Sequence, residues 1–389
     1  MTEAGPSRVP ELVRIEIIRD IAALERDWLE FQGHAVGTVF QTYQWCRLWQ
    51  EAAGEARGVA PVIATGRDPD GRLLFILPFG RRRIDGVNVL EWLGGQQVTY
   101  GFGLYDQGFL RHARDWFASE GWSIFDRISD IDAVSLAEMP QSWRGADHPL
   151  AAWFSLEGPN RSYIMEFGGD FETFYARKRS AETRRGNRKR DQRLEKETKA
   201  VFGLPEDSAH AHRLIDEMFD QQRERLAEGG IHGVFTADER RFIHRLIDMP
   251  EGLPSLLYPY HLSIGGKLEA MSLVARHGGG FWALISSLGS PAYRKLSPGD
   301  YTLRRTIAAG IEQQLSFFDL AAGSFPYKQV WADTEIRLHY AIRGLTPRGY
   351  LYAMLRTIYI VSKRTIKQTP ALWAFIGWLK RKTAGKSRV

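Results

Sequence analysis

Two glycine turns constrain this chain more than any other feature. Gly265-Gly266 and Gly278-Gly279-Gly280 divide LLYPYHLSI, KLEAMSLVARH and FWALISSLG into three apolar segments rich in β-forming residues. Glycine pairs supply the positive φ that tight hairpins need, so the three segments are expected to form an antiparallel meander. The helical stretch AHRLIDEMFDQQRERLAEGG precedes them, and a second helix and the apolar run LSFFDLA follow. The same order occurs earlier in the chain. FQTYQWCRLWQEAAG reads as a helix with a glycine stop, and VAPVIATG, RLLFILPF and GVNVLEWLGG read as strands. RHARDWFASEG is expected to be helical and SIFDRI to be the last strand of this half. Helix, meander, helix, strand, given twice, implies a duplicated α/β (α+β) fold, each copy a mostly antiparallel sheet flanked by helices.

The length of 389 residues exceeds one ordinary core and fits this duplication. Expected domain bounds are 1–160 and 161–345, with a basic helix at 171–199 opening the second domain and a basic amphipathic tail at 346–389. Cys46 is the only cysteine, so no intrachain disulfide can form, and His210 and His212 stand as an isolated pair. No metal site is expected from such spacing. The N-terminal stretch has no cationic start leading into an apolar core, and no apolar run is long enough to span a bilayer. A cytoplasmic protein is the expectation, with a peripheral place on the inner membrane if the tail binds lipid.

Charge is unevenly distributed. Residues 336–389 carry twelve Lys or Arg and no acid, so the net charge of +6 resides in that end of the chain. Between Arg177 and Lys199, eleven cations face four acids. That stretch reads either as a solvated helix with i,i+4 pairs or as a basic surface for phosphates.

The stretch SPGDYTLRRTIAAGIEQQLSFFDLAAGSFPYKQVWAD, from Ser297 to Asp333, combines the features of a site. Serine, proline and aspartate at Ser297, Pro298 and Asp300 predict a capped helix start, and Leu303, Ile307, Ile311 and Leu315 a buried face. Arg294 and Lys295 precede that start, where free N–H groups can receive a pyrophosphate and Gly299 allows close approach. Beyond the strand, Tyr327 and Lys328 are expected in a loop. A lysine there can stabilise charge on a tetrahedral intermediate, and a tyrosine can protonate a leaving group. The alternative is a surface lysine beside a core tyrosine.

The run from AYRKLSPG to FDLAAGSFPYKQVW resembles the acetyltransferases associated with bacterial cellulose and exopolysaccharide synthesis, the CelD/BcsL-like group of the GNAT superfamily. The basic KRSAETRRGNRKRDQRLEKE segment and the early FQTYQWCRLWQEAAG helix fit the same group. The resemblance implies two GNAT-like domains, as in Fem-type aminoacyl ligases, and transfer of an acyl group from a thioester or aminoacyl donor. It implies acetyl-CoA or another acyl-CoA as donor substrate, and a polysaccharide precursor or lipid-linked sugar as acceptor. GNAT enzymes hold the donor pyrophosphate in an Arg/Gln-x-x-Gly-x-Gly/Ala loop. Arg294 and Gly299 match its outer positions, while Ser297 replaces the central glycine. Lys328 is similar to the lysine after the last core strand in Fem-type ligases, and Glu269 is the candidate for the general base. The alternatives are an aminoacyl-tRNA donor, with tRNA on the basic helix, and a scaffold without catalysis. In the first domain, YGFGLYD (residues 100–106) suits either sugar stacking or the capping of a core. Trp373, Phe375 and Trp378 before Lys380-Arg381-Lys382 suit an anchor on an anionic membrane surface, the alternative being a helix pair packed on the second domain.

Overall fold

The computed structural model describes residues 12–228, 236–249, 253, 255–323 and 325–369. The chain gathers into two compact units, one of residues 1–161 with 336–370 and one containing residues 162–335. Each has a mostly antiparallel sheet with helices against it, as the repeated element order implies.

In the first unit the meander runs through strands Ala60–Arg67, Leu73–Ile84 and Val87–Trp92, with Arg14–Ile18 on its outer edge. Asp85 and Gly86, at φ 48° and 83°, form the two-residue turn between the last two strands. Val87–Trp92 then meets Ala133–Pro140 in parallel, through Val89↔Ala133 and Leu90↔Val134 only. Thr334–Gly344 pairs antiparallel on the far side of Ala133–Pro140. The expected strand SIFDRI is instead a short helix, Ser123–Asp126. Successive bonds from Ser123, Ile124 and Phe125 N–H to Glu120, Gly121 and Trp122 keep the chain turning. Both Ile124 and Phe125 are buried, which strand alternation would not allow on a single core face.

The YGFGLYD loop is core. Tyr100, Phe102 and Tyr105 are wholly buried, so none offers a face to a sugar. Helix Pro347–Gln368 packs on the first unit's strands. Its start is fixed by Asp132, whose Oδ1 accepts from Thr346 Oγ1 and Arg348 Nε, each at 2.8 Å. The Trp373, Phe375, Trp378 and Lys380–Lys382 positions lie outside the described residues.

In the second unit the three meander strands are Leu257–Ile264, Lys267–His277 and Gly280–Leu288. Gly265 and Gly266 have φ of 58° and 77°, and Gly278 and Gly279 have 60° and 78°, which suit both tight turns. Strand Gly280–Leu288 pairs in parallel with Phe317–Ala322, through Gly280↔Phe317, Phe281↔Phe318 and Trp282↔Asp319. Helix Pro298–Glu312 connects them and buries Ile307, with Leu303 and Ile311 partly covered.

The basic segment is two helices, Phe171–Lys178 and Ala181–Thr198, the second capped by Ser180. Asp191 receives two bonds from the Arg304 guanidinium, at 2.7 and 2.6 Å, and Glu195 accepts from the Tyr301 hydroxyl at 2.8 Å. Two of its acids are thus spent on the neighbouring helix, while Arg185, Arg188, Lys189, Arg193 and Lys196 remain exposed.

Candidate functional site

The parallel strands of the second unit stay together for three residue pairs and then part. Beyond Trp282 the outgoing strand carries Ser286 and Leu288 exposed, although its other edge stays paired with Lys267–His277. Leu284 is an extra residue on this strand, because Leu273↔Ile285 is followed by Val274↔Ala283. Such a bulge bends the strand, in keeping with its departure from the parallel neighbour.

A second bulge shapes the strand beside it. Leu262↔Ala270 is followed by Ser263↔Leu268, leaving Glu269 unopposed. The side chain is re-aimed and buried, at 5% exposure, and its Oε2 accepts the Ser290 N–H at 2.9 Å. Burial pushes this carboxyl upward, against the pull of the Ser290 N–H and the Lys267 charge. Helix Ser208–Glu228 completes the wall. Glu217 Oε2 accepts the Leu268 N–H at 3.0 Å and the Gln221 amide donates to the Leu268 carbonyl at 2.7 Å. Together these elements enclose a cleft of about 860 Å³ holding Glu269, Gln221, Arg225, Leu288, Ser290 and Arg294. Glu269 and Arg294 therefore share one cavity.

Ser297 is the least expected residue of the site. It occupies the left-handed region, φ 54° and ψ 55°, and makes no side-chain capping bond. The expected capping box is absent because Asp300 turns to Arg304, whose Nε donates to its Oδ2 at 3.0 Å. The start of the helix is therefore uncapped by any side chain, one turn after Arg294 and Lys295. Ser297 adopts a conformation that glycine reaches freely, at a steric cost of about 1–2 kcal/mol for an L-residue. Gly299 gives Leu288 its room, since a Cβ there would lie 2.6 Å from the leucine Cδ2.

Tyr327 and Lys328 are in the short helix Pro326–Trp331, not in a loop. The lysine is buried at 4% exposure and the tyrosine lies outside at 41%. Lys328 Nζ donates to the Ala321 and Ala322 carbonyls at 3.0 and 2.9 Å. These successive carbonyls turn toward it where Ala321 takes a positive φ of 61°. Burial lowers the ammonium to about 8, and the Asp319 carboxylate opposes that shift. Neither residue lines the Glu269–Arg294 cleft; Arg225, which does, acts on the Tyr327 phenol by its charge. The site thus has two parts, one at the end of each parted strand.

Arg179 has no signal in the sequence that sets it apart from its run of cations. Its guanidinium lies 4.1 Å from the Trp331 ring centroid, feels the Asp300 charge, and is lowered chiefly by burial. The glutamines and Glu217 of the 208–228 helix had no sequence signal beyond helical spacing. His210 and His212 are not an isolated pair: His212 Nδ1 faces His244 Nδ1 and its Nε2 bonds Asp248 at 2.7 Å, while His210 stacks edge-on to His261. Among the described residues, no group of three or more such side chains is placed to hold a metal.

Residues 181–329 match the family described as an acetyltransferase (GNAT) domain. That span begins at the basic helix and ends just after Lys328. No curated protein matches the chain. Solved structures share its fold at low identity, FemX and a Bacteroides protein among them. FemX is 9% identical, with 83% of this chain and 96% of that one aligned at a TM-score of 0.57. A conserved protein of unknown function from Bacteroides thetaiotaomicron VPI-5482 is 11% identical, with 85% and 99% aligned at 0.50.

Proposed function

We propose that the second unit, which carries the GNAT acetyltransferase domain, transfers an acyl group, acetyl first among candidates, from an acyl-CoA to an N- or O-nucleophile. The observation that carries this reading is the pair of parted parallel strands, followed by a helix start without a side-chain cap behind Arg294 and Lys295. Parted strands leave backbone groups for an extended, amide-bearing chain, and the helix start with its cations suits a pyrophosphate. These residues fit the donor. Arg294, Ser297 and Gly299 would hold its phosphates.

Glu269 would take the proton from the acceptor as that nucleophile bonds to the acyl carbon. The C–S bond then breaks, and the leaving sulfur takes a proton from Tyr327. An ammonium has three donors, and Lys328 spends two on Ala321 and Ala322, so one remains for the developing oxyanion. A polysaccharide precursor or lipid-linked sugar is the acceptor class implied by the sequence resemblance to exopolysaccharide-associated enzymes.

An aminoacyl-tRNA donor is the second reading. It is favoured by the exposed cations of Ala181–Thr198, whose Asp191 and Glu195 are engaged by Arg304 and Tyr301. A peripheral place on the cytoplasmic membrane face is supported by the exposed apolar residues Leu351, Met354, Leu355 and Ile358 of the acid-free 347–368 helix. No helix among the described residues is long and apolar enough to cross a membrane.

Calorimetric titration with acetyl-CoA, and with free CoA, at two salt concentrations tests the donor. Binding that Arg294→Ala weakens about tenfold, the loss of one charged hydrogen bond, supports acyl-CoA. Absence of binding to either ligand removes the acyl-CoA reading and leaves the aminoacyl-tRNA donor or a scaffold without catalysis. A steep salt dependence of tRNA binding would then favour the former.

A further inference from the structure

We propose that the first unit holds a ligand site of its own, for a small molecule that carries both hydroxyl groups and an anionic group such as a phosphate. Its strands repeat the parting seen in the second unit. Val87–Trp92 and Ala133–Pro140 pair in parallel at two positions and then diverge. A cavity of about 570 Å³ opens between their ends, and helix Pro347–Gln368 forms another of its walls.

The polar groups in this cavity are held in place and left incomplete. Glu138 sits on a bulge, where it and Ala137 face Tyr340 alone, and it takes a left-handed φ of 52°. Its Oε1 accepts from the Tyr340 hydroxyl at 2.7 Å and from the Asn160 amide at 2.8 Å. Its Oε2 is buried without a partner, and so is the Nε of Arg356 on the helical wall. A buried carboxylate oxygen lacking a donor and a buried guanidinium N–H lacking an acceptor are each costly, by about 1–3 kcal/mol or more. Backbone strain at such a residue adds to that cost and is commonest at ligand sites.

One ligand satisfies both groups if it offers hydroxyl donors and anionic acceptors. Trp49 and Trp92, both almost wholly buried, contribute apolar wall to the cavity. Lys363, its ammonium 5.9 Å from the Tyr359 ring, lines the cavity with Arg356, as do Arg57 and Arg82, the last paired with Glu91. A donor bound in the second unit's manner does not fit here. The helix that follows, Gln107–Ser119, has its start closed by Asp106, whose Oδ1 accepts the Phe109 N–H at 2.9 Å. Phosphate must therefore go to side chains.

The test is calorimetry on the full chain with glucose 1-phosphate, glucose and inorganic phosphate as separate probes. Glucose 1-phosphate is expected to bind more tightly than either fragment, and Glu138→Gln and Arg356→Gln each to weaken it about tenfold or more. Arg356 is partly exposed on a helix, so its variant carries the test if Glu138→Gln fails to fold, with thermal melting as the check. No heat from glucose 1-phosphate, equal binding of inorganic phosphate, competition by acetyl-CoA, or affinity unchanged in both variants overturns the proposal. Arg294→Ala alters the other unit, so its effect on acetyl-CoA binding separates a failure here from a failure of the acyltransferase reading.

Discussion

Lys328 carries an expected pH dependence of its own. Burial holds its ammonium near 8, against an ordinary lysine value of 10.5. If the third N–H stabilises the oxyanion, turnover falls as pH rises through about 8, because the proton is then lost. Lys328→Arg keeps a charge throughout this range, and its rate profile should lose that limb; a limb still centred near 8 would assign it to another group. Stability has the opposite sign. Between about 8 and 10.5 the unfolded chain binds more protons than the folded one, so the fold gains stability as pH rises through that window. Denaturant midpoints at pH 7.5 and pH 10 (both about these values) should show this gain in the wild type relative to Lys328→Met. Glu269→Gln, in contrast, removes the proposed base and keeps the shape. A turnover loss of about 10²–10⁴ is expected with donor affinity unchanged, and full activity of this variant would dismiss Glu269 from the chemistry.

Among elements, the start of helix Pro298–Glu312 gives a conformational test. Ser297 is in the left-handed region, so Ser297→Gly should keep donor affinity and lose no thermal stability, the steric relief offsetting glycine's greater chain entropy. Ser297→Val should lose about 1–2 kcal/mol, since a β-branched residue is strained there. Equal melting temperatures for the two variants would show that this φ carries no cost. Helix Pro347–Gln368 depends on Asp132. Burial raises that carboxyl, but bonds from Arg348, the Asn88 N–H and Thr346 outweigh it and hold the group below the usual range. Its contribution is thus present above the ordinary aspartate value and lost as pH falls through the lowered one. Asp132→Ala should cost about 3 kcal/mol, seen as an earlier denaturant midpoint at neutral pH. The cost should shrink in acid.

At the scale of the whole molecule, the charge asymmetry and the exposed face of the 347–368 helix point to one experiment. Leu351, Met354, Leu355 and Ile358 recur on one face at helical spacing and remain exposed, on a helix with cations and no acids. Truncation from residue 350 would also remove buried Ile360 and disturb the first unit. Paired substitution, Leu355→Glu with Ile358→Glu, avoids this because both side chains lie outside. Cosedimentation with anionic vesicles should fall several-fold in the double variant and with added salt. Unchanged sedimentation would sink the peripheral-membrane reading.

Local chemistry in the sequence decided the two meanders and the α/β repeat, because glycine pairs and apolar alternation act over only a few residues. Both glycine turns, helix Pro298–Glu312 and strand Phe317–Ala322 were readable for that reason. SIFDRI misled because six residues, three of them apolar, are too few to show a period, and only the bonds back to Glu120, Gly121 and Trp122 select a helix. The candidate residues Glu269, Arg294 and Lys328 could be named from sequence, but their environments could not. Tertiary structure alone put Glu269 on a bulge in one cleft with Arg294, buried Lys328 while leaving Tyr327 outside, and turned Asp300 away from Ser297. Burial and bulge register depend on strands distant in the chain, whereas a sequence motif records only the order of neighbours.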